Sequence, residues 1–135
     1  MTLAPELRRD TLPLIDTEAS IIRVSRDTRW PWLILVPKGA EVSEMHDLQP
    51  ELRRSFLDDI NRSSEILQQV TICTSINIAM LGNVVSSLHC HVIARAPEDP
   101  GWPGPVWGHG EPVWRDDNTL PGFASQVRAR FSTFQ

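Results

Sequence analysis

Ser75-Ile-Asn-Ile-Ala-Met-Leu-Gly-Asn-Val-Val-Ser-Ser-Leu-His-Cys-His-Val-Ile-Ala94 holds two strand-like runs, Ser75 to Leu81 and Leu88 to Ala94, joined through Gly82-Asn83. Apolar and β-branched residues separated by a Gly-Asn pair read as neighbouring strands with a turn between them. Side chains two apart on a strand share one face, roughly 7 Å from each other. Ser87, His89 and His91 therefore form a polar row, and Leu88, Cys90 and Val92 an apolar row behind it. Histidine is scarce, four in the whole chain, and two of the four fall in this row. A buried strand gains nothing by setting imidazoles into a core, so the row is expected to face an open cleft.

From the row alone three chemistries stay open. Both histidines can simply be satisfied by hydrogen bonds. They can ligate a metal, which needs a third ligand and an ordered set of partners behind it; His46, His109 and several acids are available, none at a compelling spacing. Or a neutral imidazole can attack phosphorus, being nucleophilic near neutral pH.

Working outward, Trp32-Leu-Ile-Leu-Val36 is a continuous apolar run closed by Pro31 and Pro37, as in a strand buried on both faces. Leu12 to Ser25, with Ile15, Ile21, Ile22 and Val24, reads as two short strands broken around Asp16 to Ser20. Pro50 and Glu51 suit a helix start. Leu52, Phe56, Ile60, Leu67 and Val70 then recur at helical spacing, interrupted at Ser63 and Ser64. Arg53, Arg54, Asp58, Asp59, Arg62 and Glu65 are assigned to the opposite, solvent face of a helix of about 20 residues that packs on a sheet. Gly and Pro concentrate in Pro97 to Pro112, before a short helix near Gly122 to Phe131. The expected fold is α+β: about five antiparallel strands, one long helix on them and a short C-terminal helix.

The 135 residues fit one domain, with a core over about 12–108 and a C-terminal extension over 109–135. A net charge of −4 argues against binding nucleic acid polymers, which needs a basic face. No stretch approaches the roughly 20 apolar residues of a membrane span. Met1 to Asp10 lacks the apolar core of a signal peptide. With only Cys73 and Cys90, a reduced protein in the cytoplasm is expected.

The run from Asn77 to Arg95 resembles the signature of the histidine-triad superfamily, in which three polar positions, usually His or Gln, then His, then His, alternate with apolar ones. Here they fall at Ser87, His89 and His91. Gly82-Asn83-Val84-Val85 resembles the family's approach to the triad, and Arg29-Trp-Pro-Trp-Leu-Ile-Leu-Val-Pro37 resembles its Pro-flanked strand. Asp99-Pro-Gly-Trp-Pro-Gly-Pro-Val-Trp-Gly108 is similar to the tail of a bacterial subgroup described as diadenosine-polyphosphate hydrolases.

The resemblance implies a nucleotide hydrolase or nucleotidyl transferase acting through a nucleotidyl-His89 intermediate, with no metal or other cofactor. It implies that His91 stabilises the phosphate and that a main-chain carbonyl near Ser87 holds the other ring nitrogen of His89. Amides of Asn77 and Asn83 would meet phosphate or leaving group, and Asp27 the ribose hydroxyls. Trp32, standing where many members carry a fourth histidine, and Trp107 would line the nucleotide pocket. A homodimer with joined sheets is implied as well. The main departure is Ser87: a hydroxyl cannot act as a general acid near neutral pH. That substitution keeps open a second reading, a nucleotide-binding protein with little turnover. His46 is expected to be a solvated loop residue, Cys90 core packing, and His109 carries no assignment.

Overall fold

A computed structural model describes residues 2–39 and 41–133. A short helix α1 (Pro5–Asp10) leads into the hairpin β1 (Thr11–Asp16) and β2 (Ser20–Ser25). Then come β3 (Trp32–Pro37), the long helix α2 (Pro50–Val70), β4 (Ser75–Ala79), β5 (Cys90–Arg95) and the C-terminal helix α3 (Gly122–Thr133). The strands form one sheet in the order β1-β2-β3-β5-β4, every neighbouring pair antiparallel. Among the described residues no helix is long and apolar enough to cross a membrane.

All six residues of β3 are buried, as its unbroken apolar run requires of a strand covered on both faces. Behind the sheet, Leu33, Leu35, Cys90 and Val92 pack with Phe56, Ile60 and Leu67 of α2 and with Ala124, Val127 and Phe131 of α3. The C-terminal segment thus closes the same core as the sheet. In front, Trp32, Ile34 and Val36 join Ile93, Val106 and Leu7 of α1 in a second cluster. Ile34 pairs with His91 and Trp32 with Ile93, so His91 projects from this front face.

α1 is absent from the sequence reading, and β4 and β5 differ from it. β4 ends at Ala79 and β5 begins at Cys90, so residues 80–89 form a loop instead of continuing both strands to a tight Gly82-Asn83 turn. The physical cause is competition for the ladder: the Leu88 amide donates to the Val42 carbonyl at 2.8 Å, outside the sheet. His89 therefore sits just before the strand, and only His91 lies within it.

Asp59, assigned to the solvent face of α2, is buried. Its Oδ2 accepts hydroxyl hydrogen bonds from Thr17 and Ser20, each 2.6 Å long, which tie the helix to the β1–β2 turn. Ser63, the break in the apolar stripe, is fully buried too, because a small side chain lets α2 approach the core closely. Asp59→Ala strands the buried Ser20 hydroxyl without its carboxylate. We expect a loss of about 1–3 kcal/mol in unfolding free energy, read from denaturant midpoints, with Asp58→Ala near neutral.

Candidate functional site

A cleft of about 550 Å³ opens on the front of the sheet. Its floor is made of Trp32, Ile34, His89 and His91, and its walls come from α1, the β2–β3 loop, the loop at 81–85 and the segment 106–114. That last segment is pinned over the β2–β3 loop by backbone bonds, Thr28 N–H to Val113 O at 2.8 Å and Arg115 N–H to Arg26 O at 2.7 Å. Loop residues far apart in the chain are thereby held against a rigid sheet.

His89 and His91 have ring centroids 4.9 Å apart. Nδ1 of His89 lies 2.7 Å from the Ser87 carbonyl oxygen. A carbonyl only accepts, so Nδ1 carries a proton, and in the neutral ring Nε2 keeps its lone pair. That is the tautomer a nucleophilic imidazole needs. His91 receives a hydrogen bond at Nδ1 from the Trp32 indole N–H, 3.0 Å. Burial, and secondarily the neighbouring His89, push the His91 pKa down to about 3, so its ring is neutral at physiological pH. Trp107 stands edge-on to His91 at 4.9 Å and to Trp32 at 5.9 Å.

At the other end of the cleft Asp27 is almost wholly buried. Its carboxylate accepts from Arg29 Nη2 at 2.8 Å, Arg29 Nε at 3.0 Å, the Arg29 amide at 3.2 Å and, less closely, the Val113 amide at 3.4 Å. Burial alone would raise its pKa, but the Arg29 and Val113 hydrogen bonds outweigh that and hold it below the usual carboxylate range. Arg29 also lies over the Trp30 ring and donates to the His109 carbonyl.

The cleft brings together His89, His91, Asn83, Asp27, Trp32 and Trp107. It does not bring in Asn77: that amide oxygen accepts from Arg95 Nη1 at 3.0 Å, in a separate cluster with Asp99. Arg95 is a buried cation that claims the nearest neutral acceptor, which the strand pattern does not reveal. Ser87 is not among the residues that line this cleft; it lines an adjoining cavity of about 160 Å³ that shares His89 and Leu81 with the cleft, residues 87–89 having left the strand. Trp102 lies beside Arg95 and is not among the cleft-lining residues. Cys90 points into the main core, where burial pushes its thiol up to about 12, and His46 is exposed.

Sequence reasoning missed Arg29, His109, Trp114 and the α1 residues Glu6, Leu7 and Asp10, all of which line the cleft. Only Arg29 left a local signal, a cation two residues from Asp27. Among the described residues no group of three or more His, Cys, Asp or Glu is arranged to hold a metal ion.

The HIT domain family matches residues 7–98, the span that carries the sheet, α2 and both histidines. The chain belongs to the HIT family. This HIT protein is similar over nearly its whole length to solved structures of histidine triad proteins. One from Bradyrhizobium japonicum is 38% identical, with a TM-score of 0.89, covering 95% of this chain and 96% of the other. One from Sinorhizobium meliloti 1021 is 38% identical at TM-score 0.87, covering 95% of each chain. A third, from Marinobacter aquaeolei VT8, is 32% identical at TM-score 0.85, covering 98% and 93%. A comparison with curated proteins finds no match. HIT proteins are generally nucleotide hydrolases or transferases, and membership supports a nucleotide partner.

Proposed function

We propose that the chain is a nucleotide hydrolase or nucleotidyl transferase that works through a covalent nucleotidyl-His89 intermediate, with dinucleoside polyphosphates such as diadenosine polyphosphates as substrates. The observation that carries this reading is the Nδ1–H bond from His89 to the Ser87 carbonyl, which leaves the Nε2 lone pair free in a cleft beside His91. Nε2 attacks the α-phosphorus; the new N–P bond forms as the P–O bond to the leaving group breaks, and the leaving group takes the electron pair. Water then attacks the same phosphorus, the N–P bond returns its pair to His89, and the proton lost by water passes to solvent. His91 hydrogen-bonds a non-bridging oxygen as charge builds there. Asn83 serves the phosphate chain, Asp27 the ribose hydroxyls, and Trp32 and Trp107 the nucleoside.

Arg29 balances the charge of Asp27, and the longest of the four donors on this carboxylate, the Val113 amide at 3.4 Å, is the one a ribose hydroxyl displaces. The apolar residues Ile78, Met80, Leu81 and Val84 are exposed on and just after β4, an open edge of the sheet. We assign that edge to a homodimer in which two sheets join. Free thiols at Cys73 and Cys90 suit a cytoplasmic protein.

A second reading, nucleotide binding with little turnover, is favoured by one observation: Ser87 does not line the main cleft, and a hydroxyl offers no acid to a leaving group. A panel of diadenosine polyphosphates, an AMP phosphoramidate and nucleoside diphosphate sugars, each with and without chelator, separates the two. Chelator-resistant release of a nucleoside monophosphate is the expected result. Tight binding with no turnover of any compound would leave the binding reading. Trp107→Ala is expected to weaken nucleotide binding roughly 3- to 10-fold, the worth of one aromatic contact, in a fluorescence or calorimetric titration.

A further inference from the structure

We propose that Trp32 is a positioning residue: its indole N–H locks His91 as the tautomer with the proton on Nε2, so that His91 donates a hydrogen bond into the cleft but never serves as a general acid. An indole nitrogen has a proton and no in-plane lone pair, so it can only donate. At 3.0 Å from Nδ1 it requires a lone pair there. A proton on Nδ1 would set N–H against N–H in a buried place; the ring therefore holds its single proton on Nε2.

The geometry leaves little room for another arrangement. Trp32 is itself nine-tenths buried, fixed edge-on against Trp30 at 6.2 Å and Trp107 at 5.9 Å. His91 is clamped between Trp32, His89 and Trp107, and on β4 its partner is the inert Ala79. The charged or titratable groups around the same cleft are His89, Asp27, Arg29, Glu6, Asp10 and His109. None of them hydrogen-bonds the His91 ring, and the Nδ1 proton of His89 is directed to Ser87. The His109 ring packs on Trp30 and beside Gly101 instead. Burial first, and the neighbouring His89 second, also disfavour a cation on His91 and depress its pKa.

Resting on the proposed hydrolase reading, the lock has a consequence for substrate choice. With Ser87 unable to act as an acid and His91 unable to become one, neither flanking triad position protonates the leaving group. It must depart as a stable anion, which a phosphate or polyphosphate does and an amine does not. The cleft is thereby matched to phosphoanhydrides over phosphoramidates.

The lock is read first by nitrogen-15 NMR of the histidine rings, which needs no substrate. In the unmodified protein we expect a protonated Nε2 and an unprotonated Nδ1 on His91, a coupling across the hydrogen bond between Trp32 Nε1 and His91 Nδ1, and no titration of His91 from pH 8 down to about 5. A proton on Nδ1, or a His91 that titrates near its ordinary value, overturns the proposal. Trp32→Phe keeps an aromatic plane and removes the donor. It is expected to mix the two tautomers, raise the His91 pKa and lower kcat about 3- to 10-fold, the worth of one hydrogen bond. An unchanged tautomer and pKa in a folded Trp32→Phe protein also overturns it. If that variant does not fold, the cross-hydrogen-bond coupling of the unmodified protein decides. Should the lock hold in a protein without turnover, the hydrolase reading fails alone; turnover with a protonated Nδ1 removes the lock alone.

Discussion

His89→Ala is expected to lower turnover of a dinucleoside polyphosphate by roughly 10⁴- to 10⁶-fold, the scale seen when a covalent catalyst loses its nucleophile. The argument is geometric. The imidazole is buried, its Nδ1 proton is committed to a main-chain carbonyl, and the remaining lone pair lies in the cleft beside His91. Alanine removes that lone pair but leaves the Asp27 and Trp107 ends of the cleft unaltered, so nucleoside monophosphate affinity should stay within about 3-fold. Rapid acid-free quenching of the unmodified protein with labelled substrate should trap a nucleotidyl-protein adduct that is labile in acid and stable in base, as a phosphoramidate is. The adduct should be missing from His89→Ala. Turnover in that variant within tenfold of the unmodified protein would remove His89 from the chemistry.

Asp99→Ala is expected to be the most destabilising single change outside the apolar core, at about 3–5 kcal/mol, or roughly 10–20 °C in Tm. Arg95 is 1% exposed. Its guanidinium gives Nε–H to Asp99 Oδ2 at 2.8 Å, Nη2–H to Oδ1 at 3.1 Å and Nη1–H to Asn77 Oδ1 at 3.0 Å. Trp30 and Trp102 lie beside it, with centroids 5.7 and 5.9 Å from its central carbon. Truncating Asp99 leaves this cation buried with one neutral acceptor, and an uncompensated buried charge costs far more than the pair is worth. Replacing both partners, as in Arg95→Met with Asp99→Leu, should therefore cost less than Asp99→Ala alone.

The pair also sets a pH dependence. Burial by itself would raise the Asp99 pKa, but hydrogen bonds from Arg95 and the Ala96 amide hold it below the usual carboxylate range. A carboxyl whose folded pKa is depressed binds protons more readily when unfolded. Its contribution is fully present above the ordinary carboxylate value of about 4 and is lost as pH falls from there toward the folded value. Asp27, depressed by Arg29, acts in the same direction. Acid denaturation followed from pH 6 to pH 2 should thus steepen below about pH 4, and Asp99→Ala should flatten that limb.

The α+β architecture was legible because its signals are local and periodic. Trp32 to Val36 has no polar residue to offer a solvent face, so it had to be a central strand. The three- and four-residue spacing of Phe56, Ile60 and Leu67 had to be one face of a helix. His89, His91, Asn83, Asp27, Trp32 and Trp107 were legible as a group only through the motif they resemble, and the fold does gather them in one cleft. Periodicity failed where a long-range partner outcompeted it. Asp59 looked solvent-bound until Thr17 and Ser20 met it across 42 and 39 residues. The strand before His89 ended early because Val42 took the Leu88 amide.

By itself the sequence determined which segments bury apolar surface, how long they run, and which two imidazoles sit beside each other. Those properties are written in neighbours a few residues apart. The proton on Nδ1 of His89 follows from a carbonyl two residues away, whereas only tertiary structure decided the protonation of His91. Trp32 and His91 are 59 residues apart, yet one indole N–H fixes which nitrogen of His91 is bare. It also decided that Asn77 serves Arg95, that Ser87 lines an adjoining cavity, and that His109 lines the cleft. Each of these depends on hydrogen-bond partners and burial supplied by other elements, and the free energy of a polar group follows its surroundings more than its place in the chain.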